Sequence, residues 1–453
     1  MNKLKIGLEI HGYLNTSEKL FCNCKLSHGQ KSSKPNTNVC PICTGQPGSK
    51  PMLPNIEAVK KILQAAFILQ CKINHSFLWQ RKHYDWPDLP KGYQNTISGT
   101  YAIPVGVNGE FLGIRIRETH LEEDPAAWNP LTGELDYNRS GSPLIEIVTE
   151  PDFQSAEQVI DWLKELLLAL NYVKAIDSLS GIKTDVNVSV GGERVEIKNM
   201  NSLENIKAAI EYELKIQQKT PQKRKETKAF DAEKGITIVM RTKEEESDYR
   251  FISDPDLPII KLEKEFIEKI KSQIPQSPRQ KLDNLIKKYK IDKSSAEILA
   301  KNIDIVELFE QVIPKVKDKQ LAIDFVIIEL LRVLNYNKKT LDQVEIKPEH
   351  FIKLLNLIED KKITESKAKQ IPNDFIPKSF DPEKDIEKHS TISDKSEIET
   401  LAKQVIKNNP KATSDYKAGQ QQALNFLVGE LMKLSNRRAD YKTAKLILEK
   451  LLK

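Results

Sequence analysis

Leu4-Lys5-Ile6-Gly7-Leu8-Glu9-Ile10 alternates apolar and polar residues with a period of two, the pattern of a strand with one buried face. Side chains two apart on a strand point the same way, so Glu9 and His11 share its polar side. The same period returns in Gly113-Ile114-Arg115-Ile116-Arg117 and in Asp185-Val186-Asn187-Val188-Ser189-Val190. Helical patterns separate these runs. Ile56 to Leu69 starts behind Pro54-Asn55, Ser155 to Leu170 opens with Ser155 and Gln158 at capping-box spacing, and Ser202 to Gln218 steps by threes and fours. Hairpin-like spacings outnumber regular strand–helix–strand units. The first 260 residues or so are therefore expected to form an α+β domain with an antiparallel sheet.

Beyond about residue 261 the glycines nearly vanish and lysines multiply. Apolar residues recur at helical period: Phe266, Ile267 and Ile270, then Leu282, Leu285 and Ile286, then Leu321, Phe325, Ile328 and Leu331. This half is expected to be all-helical, with a break at Pro275 and Pro278. The polar stretch 372–395 reads as a linker. After it, Ile398 to Lys407 and Gln421 to Leu434 read as helices separated by Asn409-Pro410. The expected organisation is a first domain over 1–272, a helical domain over 273–371 and a helical tail over 396–453.

The 453 residues carry a net charge of +6, a mild basic bias compatible with a nucleic-acid partner. No apolar run is long enough to span a membrane. The start of the chain turns acidic at Glu9 before any stretch of signal-peptide length. The expected compartment is the cytoplasm, or an organelle matrix.

Four of the five cysteines fall in two pairs, Cys22-Asn23-Cys24 and Cys40-Pro41-Ile42-Cys43. Two such knuckles match the tetrahedral demand of a structural zinc ion, and four thiolates leave no position open for a substrate. His28 lies between the pairs as a bystander, and free thiols on a loop are the bland alternative. A second constellation is acidic: Glu9 with His11, His120-Leu121-Glu122-Glu123-Asp124, Glu146 and Glu150, Asp185, and Glu196 with Lys198. Carboxylates drawn from several strands are costly to bury without a cation, and magnesium with nucleotide phosphates needs such hard oxygen ligands. Many of them could equally be ordinary exposed acids. The third is the basic and aromatic loop from Arg81 to Gln94, suited to a phosphate or a base or simply a rigid surface loop. Neither G-x4-G-K-[ST] nor G-x-G-x-x-G at a strand–helix junction occurs.

Several long motifs resemble one family, the B subunits of aspartyl/glutamyl-tRNA amidotransferases. They are I-G-L-E-I-H-G-Y-L-N-T-S-E-K-L-F-C-N-C from Ile6, P-N-T-N-V-C-P-I-C-T-G-Q-P-G (35–48), R-K-H-Y-D-W-P-D-L-P-K-G-Y-Q (81–94) and H-L-E-E-D (120–124). D-Y-N-R-S-G-S-P-L-I-E-I-V-T-E-P-D (136–152), R-V-E-I-K-N-M-N-S (194–202), M-R-T-K-E-E-E-S-D-Y-R-F (240–251) and D-P-D-L-P (254–258) follow in order. The stretch Asn409 to Lys433, with F-L-V-G-E-L-M-K, is similar to the family's helical tail. The archaeal relative specialised for glutaminyl-tRNA carries a large extra domain, for which this chain has no room.

The resemblance implies a glutamine-dependent carbon–nitrogen ligase. In that family a cradle-shaped domain binds ATP and magnesium. It phosphorylates the side-chain carboxylate of Glu on tRNA(Gln) or Asp on tRNA(Asn). Ammonia from a glutaminase A subunit then displaces the phosphate, a small third subunit braces the other two, and the tail contacts the tRNA body. Carried over, it implies His11, Glu123 and Glu146 as magnesium ligands with Glu9 close by. Asp185 and Glu196 are further catalytic candidates, and Lys82, Lys91 and Lys198 phosphate or channel groups. It implies structural zinc on Cys22, Cys24, Cys40 and Cys43. The sequence departs from the pattern in three places. Pro125-Ala126-Ala127 replaces Ala-Gly-Lys, Ser178-Leu179 stands where an acidic pair is usual with Lys183 for an arginine beyond it, and Asn95-Thr96 replaces Ile-Ser.

A rival reading is a zinc-bearing tRNA scaffold that has lost carboxylate activation. A glutaminase in its own right is disfavoured, since no G-x-S-x-G elbow occurs and no cysteine sits in an amidase context.

Overall fold

The structure is a computed structural model and describes residues 4–26, 33–177, 180–242, 249–384, 390–392 and 395–452. His28 and the departure at Ser178-Leu179 lie outside the described residues. The chain divides into two compact units, 1–278 and 279–453.

The first unit is built on a twelve-stranded sheet. Its strands are β1 (Leu4–Tyr13), β2 (Lys72–Ile73), β3 (Gln80–Lys82), β4 (Gln94–Thr96), β5 (Gly106–Phe111) and β6 (Ile114–Glu123). They continue with β7 (Pro143–Thr149), β8 (Ile182–Val190), β9 (Val195–Met200), β10 (Glu226–Asp231), β11 (Ile236–Thr242) and β12 (Ile252–Ser253). The order is β11-β10-β9-β8-β1-β7-β6-β4-β3-β12, with β5 pairing β6 and β2. Every pairing is antiparallel except β9 with β10, which the helix Leu203–Lys219 connects. The sheet is thus antiparallel-dominated, as the alternating runs predict, with one strand–helix–strand unit inside it.

The alternation of β1 sorts its two faces. Ile6, Leu8 and Ile10 are buried in one core with Val186 and Val188 of β8 and Val195 and Ile197 of β9. Four helices also contribute to that core: α1 (Ile56–Ile68), α2 (Ala156–Tyr172), α3 (Leu203–Lys219) and α4 (Lys264–Ser272). Each buried Leu, Ile or Val contributes roughly 1.5–3 kcal/mol, so the register of β1 is firmly set; a one-residue slip would drive Glu9 and His11 into the helices. The helix starts follow the sequence signals. Asn55, Ser155 and Ser202 each accept a hydrogen bond from a backbone N–H of the first turn, and Gln158 reaches back to accept from the N–H of Gln154 at 2.7 Å.

The second unit is helical and holds two cores. One gathers residues from Leu285 to Phe375. The other is formed around the helices Lys395–Asn408, Pro410–Lys417, Gln421–Leu434 and Tyr441–Leu452. The stretch read as a linker begins with the short helix Ile371–Asp374, and Phe375 and Phe380 pack against the first of these cores. No helix among the described residues is long and apolar enough to cross a membrane.

Candidate active site

The polar face of the sheet carries the acids. Register places His11 of β1 opposite Glu146 of β7 on one side and Lys183 of β8 on the other. Glu146 in turn faces His120 of β6. One step along, Glu9 faces Asp185, and Asn187 faces Glu196 of β9. Residues more than a hundred positions apart are thereby set side by side by backbone pairing alone.

Two clusters result. In the first, the His11 Nε2 lies 3.3 Å from Glu146 and 3.6 Å from Glu122, while the His120 Nε2 is 2.7 Å from the same Glu146 oxygen. Burial works against the charged form of His11, but the Glu146 and Glu122 carboxylates outweigh it and lift its pKa to about 9. Burial likewise disfavours the Glu146 carboxylate, yet the imidazoles of His120 and His11 hold it well below its ordinary value. Glu122 lacks so close a partner, so burial and the Glu146 charge push it up. In the second cluster Glu9, Asp185 and Glu196 converge. The Lys198 ammonium sits among them, 2.6 Å from Asp185 and 2.7 Å from Glu196, and the Asn187 amide donates to Glu9 at 3.0 Å. Burial opposes the charge on Lys198, but Asp185, Glu196 and Glu9 hold it, raising the group above its usual range.

The donor atoms of each triad lie within 4.8 Å of one another. His11, Glu122 and Glu146 offer one nitrogen and two carboxylates; Glu9, Asp185 and Glu196 offer carboxylates only. Both sets suit a hard divalent cation. A cleft of about 410 Å³ is lined by His11, Glu122, Lys82, Lys183 and Lys198 together with Tyr84, Trp86 and Arg139. A second hollow of about 940 Å³, sharing Lys82, Lys198 and Tyr249 with the first, extends to Arg194, Lys223 and Lys225. The arrangement can neutralise a polyanion beside a row of acids whose geometry suits a metal ion.

Most sequence candidates arrive here: Glu9, His11, Glu146, Asp185, Glu196, Lys82 and Lys198. Two do not. Glu123 points away from the triad; it pairs with Lys91 and accepts the Asn95 N–H at 3.0 Å. The acid that reaches His11 is Glu122. Strand alternation holds the signal, because His120 and Glu122 are two apart, as Glu9 and His11 are. Lys91 is correspondingly engaged with Glu123 rather than with the clefts. The departure at Pro125 lines the cleft, and the Ala126 N–H donates to the Asp88 carbonyl. In the basic–aromatic loop Arg81 is tied to Asp254 and Asp256, and Trp86 packs edge-on to Trp128. Two further groups escaped sequence reasoning: Tyr13, whose hydroxyl donates to Asp124 at 2.5 Å, and Arg139, 3.3 Å from the same carboxylate.

The four cysteines converge independently of this face, their sulfurs within 4.8 Å of one another and none of them in a disulfide. A hydrogen bond from Cys22, with help from the Cys40 N–H and Lys19, lowers the Cys43 thiol to about 4, while burial pushes Cys24 up to about 11. Four sulfurs that close, with one already favoured as thiolate, fit a tetrahedral zinc centre.

Comparison with known proteins places this geometry in a class. The sequence profile of the GatB/GatE catalytic domain matches residues 4–268, and that of the GatB domain matches 307–452. The aspartyl/glutamyl-tRNA(Asn/Gln) amidotransferase B subunit of Methanopyrus kandleri is 39% identical over 100% of this chain and 99% of its own length. Its counterpart from Methanocaldococcus jannaschii is 41% identical over 97% and 96%, and that from Methanothermobacter thermautotrophicus 41% over 99% and 100%. The chain belongs to this family of amidotransferase B subunits.

Proposed function

We propose that the chain activates the side-chain carboxylate of Glu-tRNA(Gln), Asp-tRNA(Asn) or both by ATP-dependent phosphorylation, as a ligase subunit working with a glutaminase A subunit and a small third subunit. The observation that carries this reading is the convergence of six side chains able to ligate a metal and three lysines on one open face of the sheet. His11, Glu122 and Glu146 would hold one magnesium ion, and Glu9, Asp185 and Glu196 could hold another. Magnesium bound there offsets the negative charge of nucleotide phosphates. Lys82, Lys183 and Lys198 line the cleft, where they would orient the phosphates and the incoming carboxylate so that the two anions can approach.

The chemistry balances simply. A carboxylate oxygen attacks the γ-phosphorus, the bond to the bridging oxygen breaks, and ADP leaves with its electron pair. Ammonia then attacks the carbonyl carbon of the acyl phosphate, the carbon–oxygen bond to phosphate breaks with its electron pair on phosphate, and the nitrogen gives up one proton that leaves with the phosphate, giving the amide. The cysteines form a structural zinc site; they lie apart from the acids and leave no open coordination position.

The test is conversion of radiolabelled Glu-tRNA(Gln) and Asp-tRNA(Asn) by the chain with its glutaminase and small third-subunit partners, ATP, magnesium and glutamine. Product that requires ATP and is lost in Glu146→Gln is expected. A complex that assembles and binds tRNA yet makes no product would instead favour the scaffold reading.

A further inference from the structure

Lys19 is fully buried, 1% exposed. Its ammonium has two partners among the described residues: the Cys43 sulfur at 3.3 Å and the Tyr137 carbonyl at 3.0 Å. Neither is a carboxylate. A buried ammonium without an anion costs several kcal/mol, and the metal-free cluster, with only the Cys43 thiol lowered, supplies no charge beyond that one thiolate. A zinc tetrathiolate does, since four thiolates around one divalent ion leave a net double negative charge.

The surroundings seal the pair. The Lys19 N–H donates to the Cys24 carbonyl, and the Leu20 N–H to that of Gly141. The Ser140 hydroxyl donates to the Cys43 carbonyl at 2.7 Å. Gly141, at φ +81°, passes so close that a Cβ there would sit 3.6 Å from the Lys19 side chain and 3.7 Å from Cys43. The segment 137–142 leads directly into β7, the strand of Glu146.

We propose that Lys19 is the internal counter-ion of the cysteine cluster. It balances part of the charge of the loaded metal centre and fastens that centre to the turn that feeds the Glu146 strand. This rests on the zinc reading of the cysteines, but not on the phosphorylation chemistry.

The test uses the full chain, unmodified and as Lys19→Met and Lys19→Gln, in competition for zinc with a chromophoric chelator. Both variants are expected to bind zinc roughly 10–100-fold more weakly. Lys19→Gln keeps a donor for the Tyr137 carbonyl and so separates charge from hydrogen bonding. Thermal melting with and without zinc supplies the second readout. Zinc is expected to raise Tm less in the variants than in the parent. Zinc affinity and Tm gain equal to the parent's in both variants overturn the counter-ion role alone. A parent chain that takes up no zinc overturns it together with the zinc reading.

Discussion

Lys198 reaches Asp185 at 2.6 Å and Glu196 at 2.7 Å, with Glu9 beside them. Removing it takes away the ammonium that sits among these crowded carboxylates. Lys198→Met is expected to lose about 3 kcal/mol near neutral pH, read from the urea midpoint, and to recover part of that in magnesium. A variant as stable as the parent would show that the acids tolerate one another unaided. At the first triad the structure separates neighbours. Glu122→Gln is expected to weaken manganese binding by about tenfold or more in titration calorimetry, and Glu123→Gln by less than about threefold. The reverse order would return Glu123 to the metal. At this scale the sequence was legible wherever the period-two rule was applied to both members of a pair. It chose His11 with Glu9 correctly as co-facial. It failed at 122 and 123 because an acidic doublet presents one residue to each face, and composition does not say which. Lys19 and Tyr13 were illegible for another reason: Tyr137 and Asp124, their partners, are more than a hundred residues along the chain.

Among the elements, the long ones could be read from pattern and caps. β1, β8 and α1 to α3 stand close to their expected places, since each has enough residues for a period to show, whereas β6 runs on to Glu123, past the alternating run that ends at Arg117. The two-residue strands β2 and β12 exist only through pairing with β5 and β3, and no local signal marks them. The parallel pairing of β9 with β10 was hidden for the same reason. It arises because α3 carries the chain back along the sheet. That helix starts at Ser202, whose hydroxyl accepts the Asn205 N–H at 3.3 Å. Ser202→Ala is expected to cost about 1 kcal/mol, measurable as a small drop in denaturation midpoint with the metal-binding row intact. A loss several times larger would mean that α3 carries strain that the capping bond relieves.

On the scale of the whole molecule, the shift in composition near residue 261 foretold the change from mixed to helical architecture. The organisation expected there, a helical domain over 273–371 and a helical tail over 396–453, did not foresee that Phe375 and Phe380, in the stretch read as a linker, would fold onto the first of the unit's two cores. Residues 1–278 enclose their own core. A fragment of that span is expected to melt cooperatively and to keep both triads, as followed by circular dichroism and manganese titration. A featureless melt would mean that the second unit is needed for its stability.

The central position of β1 also bears on how the protein comes into being. Among the described residues this strand pairs with residues from 144 onward on one side and from 182 onward on the other. During synthesis Ile6, Leu8 and Ile10 emerge long before either neighbour. The sheet cannot grow outward from its first strand as the ribosome delivers it. Folding must wait for a closure of high contact order, which is slow and leaves an apolar segment exposed meanwhile. The row of acids, split between both sides of that strand, exists only once the closure is complete.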